Sequence, residues 1–156
     1  MSESTADIIH RGGCFCGAVT YQVTGKPLRS AYCHCTLCQR LHSCAFIHTI
    51  HFPAAAFSWT HAEPHEATIE TYAVSTKPWK IRSRCKQCGC PVASHNTKLD
   101  KWSVWGGELE RDEKGRIQGW EEIKPTAHMF YETRMLDIND ELGKWAGYEG
   151  DSERLG

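Results

Sequence analysis

Nine cysteines in 156 residues constrain this chain more than any other feature. Seven of them fall into short groups. Cys14 and Cys16 form a C-x-C, Cys33, Cys35 and Cys38 form a C-x-C-x-x-C, and Cys85 and Cys88 form a C-x-x-C; Cys44 and Cys90 stand apart. A disulfide across one or two residues closes a small, strained loop, so such neighbours make poor bridges. The odd total also argues against a secreted disulfide framework, as does an opening, MSESTADIIHRGG, that lacks a basic region followed by an apolar run. Metal binding is the better account of these cysteines.

The rest of the composition is that of an ordinary globular domain. The length suits one domain, and 40% hydrophobic with 24% charged residues argues against disorder. Lys plus Arg number 18 against 19 for Asp plus Glu, a formal net charge of −1, which removes the main electrostatic reason to expect nucleic acid or an anionic membrane as partner. No stretch approaches the ~20 apolar residues of a membrane span. A soluble, cytoplasmic protein is expected, with one domain over 9–148 and loosely ordered ends at 1–8 and 149–156.

The periodicity is mostly that of strands. Ala18–Val23 alternates, with Val19, Tyr21 and Val23 on one face; Phe46–Phe52 alternates similarly, and Glu66–Val74 is rich in β-branched and aromatic residues. Lys80–Cys85 and Lys101–Trp105 read as shorter strands, and Gly25-Lys26-Pro27, Lys77-Pro78, Gly106-Gly107 and Asp112–Gly115 as turns. Only Thr36–Leu41 and Asn139–Leu142 are read as helical turns. The expected fold is mostly β, made of short antiparallel sheets. The six tryptophans are read as core or rim packing.

Zinc in structural sites takes four ligands and favours thiolates on tight turns. Cys85-Lys86-Gln87-Cys88-Gly89 has the shape of a zinc knuckle, with Gly89 free to adopt positive φ, and Cys14-Phe15-Cys16-Gly17 offers a second glycine-followed pair. Two plus two makes a closed four-cysteine site stapling distant parts of the chain. Cys33, Cys35 and Cys38 supply three thiolates within six residues, the arrangement of a zinc site with an open position. Cys44, His34, His42 or Cys90 are alternative fourth ligands that would close it.

Three stretches, Gly12-Gly13-Cys14-Phe15-Cys16-Gly17-Ala18-Val19, Tyr32-Cys33-His34-Cys35-Thr36-Leu37-Cys38-Gln39-Arg40 and Cys85-Lys86-Gln87-Cys88-Gly89, resemble the glutathione-dependent formaldehyde-activating enzyme family, also called the centromere protein V domain family. Pro125-Thr126-Ala127-His128-Met129-Phe130 is similar to its C-terminal signature. The resemblance implies a zinc-binding β-tent fold with two zincs per chain. It assigns Cys14, Cys16, Cys85 and Cys88 to a structural zinc, and Cys33, Cys35 and Cys38 to a catalytic one whose fourth place takes water or the sulfur of glutathione. It also implies the addition of glutathione, as co-substrate, to formaldehyde, giving S-(hydroxymethyl)glutathione, a carbon–sulfur lyase chemistry. Two features depart from the family pattern: Leu41-His42-Ser43-Cys44-Ala45 replaces small residues with a glycine and a proline, and Cys90 replaces a Ser or Thr.

Three thiolates leave zinc with little Lewis acidity, which suits holding a substrate thiolate better than generating hydroxide. The nascent alkoxide then needs a proton, for which His34, His42 and His128 are the candidates. The carboxylates of glutathione call for basic side chains, and Arg40, Arg82 and Arg84 lie near the cysteine groups in sequence, with Cys44 close to the open position. Two other functions compete: a non-catalytic β-tent module for protein or thiol binding, and a redox or metal sensor built on Cys44. The protein-binding role would call for a basic or Pro-rich extension, which this sequence lacks.

Overall fold

A computed structural model describes residues 7–156. The fold is mostly β. Strands β1 (Ile9–Gly13), β2 (Thr20–Thr24) and β5 (Phe57–Trp59) form a small antiparallel sheet in the order β1-β2-β5. The other eight are β3 (Arg29–Cys33), β4 (Ile47–Pro53), β6 (Ile69–Tyr72), β7 (Lys80–Cys85), β8 (Pro91–Asn96), β9 (Lys101–Trp105), β10 (Ala127–Met129) and β11 (Gly143–Lys144). They form one sheet, ordered β11-β10-β3-β4-β9-β8-β7-β6. Its pairs are antiparallel except where β10 inserts between β3 and β11, parallel to both. The large sheet is therefore mixed rather than purely antiparallel.

Alternation divides the two faces of the large sheet. Ile50 and Phe52 on β4, Val104 on β9 and Ala93 on β8 point to one side and are fully buried. They share a core with Val19, Tyr21 and Val23 at the small sheet, each fully buried. Each Val, Ile or Phe among them contributes roughly 1.5–3 kcal/mol by leaving water. Strand β4 is also covered on its other side, where Thr49 and His51 are buried. A second, smaller core of Ala31, Cys33 and Met129 sits near β3 and β10.

Several local expectations shift. The run expected over Glu66–Val74 opens with a 3₁₀ turn, His65–Thr68, after Pro64, which leaves only β6 extended. Thr36–Leu41 is helical and runs on one residue as α1 (Thr36–His42), whereas a second short helix, α2 (Trp120–Ile123), lies outside the expected pattern. Asn139–Leu142 is not helical, because Asp140 Oδ1 accepts from Leu142 N–H at 3.1 Å and offers the backbone a turn instead. The end expected to be loose, 149–156, returns along β11: Leu155 N–H donates to Lys144 O at 2.7 Å and Ala146 N–H to Glu153 O at 2.9 Å. Polar side chains do not prevent such backbone pairing. Of the expected loose start, 1–6 lie outside the described residues. No helix among the described residues is long and apolar enough to cross a membrane.

Candidate functional site

The sulfur atoms of Cys14, Cys16, Cys85 and Cys88 all lie within 4.8 Å of one another. Cys14 and Cys16 occupy the turn after β1, where Cys14 Sγ accepts from Val19 N–H at 3.3 Å. Cys85 ends β7, and its Sγ accepts from Gln87 N–H at 3.3 Å. Both turns close through glycines at positive φ, Gly17 at 83° and Gly89 at 75°, which a side chain would strain. A tetrahedral zinc–thiolate site, with bonds of about 2.3 Å, has sulfur–sulfur edges of about 3.8 Å. Cys14 Sγ to Cys16 Sγ is 3.6 Å and Cys16 Sγ to Cys85 Sγ is 3.7 Å, so these donors fit zinc without rearrangement. Because β1 belongs to the small sheet and β7 to the large one, a cation here ties the two sheets together.

Cys33, Cys35 and Cys38 form a second group within the same sulfur–sulfur limit of 4.8 Å. Cys33 ends β3 and is buried; Cys35 caps α1, its Sγ accepting from Cys38 N–H at 3.3 Å. Gln39 Nε2 donates to His34 O at 2.7 Å and Thr133 Oγ1 donates to the same oxygen at 2.9 Å, fixing the turn against the C-terminal segment. Three thiols this close compete for protons. Hydrogen bonds from Cys33 and Cys38 hold Cys35 far below the ordinary thiol range, down to about 2, while sharing with Cys35 pushes Cys33 up to about 12. Cys38 is raised further, first by Cys33 and then by Cys35. A divalent cation ends that competition by letting all three ionise together.

This second group opens onto a cavity of about 530 Å³, lined by all three of its cysteines. The floor is the polar face of the large sheet. Arg29, His51, Ser103, Ser94 and Arg82 are successive cross-strand partners from β3 to β7, and Lys101, Asn96 and Lys80 form the adjoining row. Cross-strand partners share a face. Over the floor lie Leu37, Leu41 and His42 of α1, with the ring of His42 4.6 Å from that of Trp105. Burial, and then neighbouring Arg82, lower the His42 pKa to about 4. Lys80 is lowered by burial and by Lys77 and Arg82, and Lys101 by burial and by Arg29 and Lys80. Asp151 is the one acidic residue lining the cavity among the described residues, and it lies 3.7 Å from Arg29.

The profile of the family described as glutathione-dependent formaldehyde-activating enzyme matches residues 9–133. The chain belongs to this family. A crystal structure of a Rhodobacter sphaeroides protein is also similar, at 20% identity over 69% of this chain and 96% of that one, with a TM-score of 0.49. The family match contains all seven clustered cysteines and His128, and it stops short of Asp140, Tyr148 and Asp151.

In this member of the formaldehyde-activating family the other expected site residues fall in different places. Arg40 is exposed and does not line the cavity. It sits two positions beyond Cys38, about 200° around the helix, so α1 turns it away. Cys44 is half-buried and outside the three-thiol group, and burial raises its pKa. Cys90 likewise stays outside the four-thiol group, its Sγ donating to Pro91 O at 3.3 Å. Arg82 lines the cavity, whereas Arg84, two residues further along the same face of β7, does not and pairs with Glu70 at the exposed edge. Of the tryptophans only Trp105 lines the cavity.

Of the three histidines, His42 alone reaches the cavity wall. His34 and His128 are fully buried behind the three-thiol group, with His34 Nε2 2.8 Å from His128 Nδ1 and His128 Nε2 2.8 Å from Asp140 Oδ2. Asp140 accepts from His128 Nε2–H, and in the neutral ring His128 Nδ1 then accepts from His34 Nε2–H. This chain braces the turn that carries Cys33 and Cys35. Asp140 and the basic floor are the parts of this candidate site that do not stand out along the chain. The floor does have a signal, a polar residue at every second position in Lys80-Ile81-Arg82, Ser94-His95-Asn96 and Lys101-Trp102-Ser103.

Proposed function

We propose that this chain adds the thiol of glutathione to formaldehyde or another small aldehyde, giving S-(hydroxymethyl)glutathione in the first case. In class it is then a carbon–sulfur lyase using two zincs, a structural one at Cys14, Cys16, Cys85 and Cys88 and a catalytic one at Cys33, Cys35 and Cys38. The observation that carries this reading is the three-thiol group in the wall of a basic cavity. Zinc in that position supplies a seat that keeps a substrate sulfur ionised at neutral pH.

The surrounding residues bind and orient. Glutathione has two carboxylates and one ammonium. The Arg29–Asp151 pair offers one charge of each sign and suits its amino-acid end; Lys80, Arg82 and Lys101 suit its glycine carboxylate. Leu37, Leu41 and Trp105 exclude water from one side. In the addition a sulfur–carbon bond forms, the carbonyl π pair moves onto oxygen, and the thiol proton ends on that oxygen. Lys80, made more acidic by burial and by its cationic neighbours, is the residue we assign to hold that proton at Nζ.

Because the addition also runs without a catalyst, the test compares rates. Exchange NMR of glutathione with formaldehyde, with and without the zinc-loaded protein, is expected to show faster exchange that Cys35→Ser removes. Exchange unchanged by the protein would overturn the reading.

A further inference from the structure

The charge of the cavity exceeds what glutathione and formaldehyde need. Five cations line it, Arg29, Lys77, Lys80, Arg82 and Lys101, against one acid, Asp151, among the described residues. Asp151 lies beside Arg29, which also donates to Glu149 O at 3.4 Å and stacks 5.1 Å from the Tyr148 ring centre. That corner is locally balanced. The other four cations come from the turn before β7 and from β7 and β9, and no acid faces them among the described residues of the cavity. All four are half-buried, so their mutual repulsion is only partly screened.

Glutathione offers this group a single carboxylate once its amino-acid end occupies the Arg29–Asp151 corner. Zinc held by three thiolates and the glutathione sulfur would add two negative charges, which still leaves one of the four cations without an anion. Formaldehyde is neutral and offers it nothing. Yet the cationic group shares the cavity with the three thiols, and Lys80 feels the charges of Cys35 and Cys38. An anion held there stands beside the reacting sulfur.

We propose that the aldehyde partner of this site carries its own carboxylate, so that the physiological electrophile is an oxo acid of the glyoxylate type, recognised within the group Lys77, Lys80, Arg82 and Lys101 by the cation that the glycine carboxylate of glutathione leaves unpaired. The inference rests on the thiol-addition reading above and narrows its substrate. The step balances without a further reagent. The glutathione sulfur bonds to the aldehyde carbon, the π pair goes to oxygen, the thiol proton follows it, and the product is an α-hydroxy-α-thio acid whose carboxylate is unchanged.

The experiment compares three aldehydes with the wild-type, zinc-loaded chain: glyoxylate, its neutral ester methyl glyoxylate, and formaldehyde. Each catalysed exchange rate with glutathione is divided by its own spontaneous rate, which removes differences in intrinsic reactivity. One charge-assisted contact is worth about 10- to 100-fold. The acceleration for glyoxylate is therefore expected to exceed that for its ester by about that factor, and the gap to narrow in high salt and in Arg82→Gln. Equal acceleration of all three would overturn the inference and leave thiol addition standing. Acceleration of none would overturn both. The wild-type comparison decides even if Arg82→Gln fails to fold.

Discussion

The two thiol clusters use the same side chain for opposite ends. Cys14 and Cys16 meet Cys85 and Cys88 across 69 positions of sequence, from Cys16 to Cys85, and from two different sheets. Cys33, Cys35 and Cys38 come from a single turn at the end of β3. A cation in the first closes a long loop and holds the sheets together; a cation in the second closes almost nothing. The first is completed by four thiols, while the second presents three to a cavity. On the function proposed above, sequence separation, more than ligand type, is what separates a cluster that builds the fold from one that is free to react.

The largest effect expected from that contrast is on folding. Structural zinc contributes on the order of 10 kcal/mol in small zinc modules, comparable with a domain's whole stability of about 5–15 kcal/mol. Cys85→Ser is expected to leave little native protein, measurable by urea unfolding and near-ultraviolet circular dichroism. Cys35→Ser should do the reverse, keeping the unfolding midpoint near wild type while losing one zinc and about 100-fold or more of catalysed exchange. If both variants unfold alike, the contrast fails.

Acid sharpens a different part of the fold. Burial lowers the His48 pKa to about 4 and the His51 pKa to about 3, the latter aided by Lys101 and Arg29. In the unfolded chain both histidines take up protons below about pH 6.5. Their contribution to stability is therefore fully present above that pH and is lost as pH falls toward 4 and 3. For His48 the loss is about 2 kcal/mol at pH 5, seen as a falling urea midpoint between pH 7 and 5. The smallest effect is expected at Arg40. Exposed and turned away from the cavity, Arg40→Ala should shift stability by under about 0.5 kcal/mol and leave exchange rates near wild type.

The sequence makes some of this architecture plain and conceals the rest for physical reasons. β7 and β9 fall where alternation puts them, and the four-thiol group follows from two glycine-followed pairs. Short strands such as β10, three residues long and buried on both faces, carry no period to read. The basic floor becomes one row only once register aligns Arg29, Ser103 and Arg82, because residues on five strands share no spacing along the chain. Arg40 illustrates the reverse error. Nearness in sequence to Cys38 suggests nearness to the site, and about half a helical turn undoes it. Cys44 and Cys90 mislead in the same way, since thiols beside a cluster in sequence lie outside it in space.

The most direct measurement of the difference between the clusters is zinc content joined to zinc-edge X-ray absorption, with and without glutathione. Two zincs per chain are expected, one with four sulfur neighbours throughout and one that gains a sulfur neighbour when glutathione is added. Two zincs already bound by four sulfurs and unchanged by glutathione would contradict an open, reactive cluster at Cys33, Cys35 and Cys38.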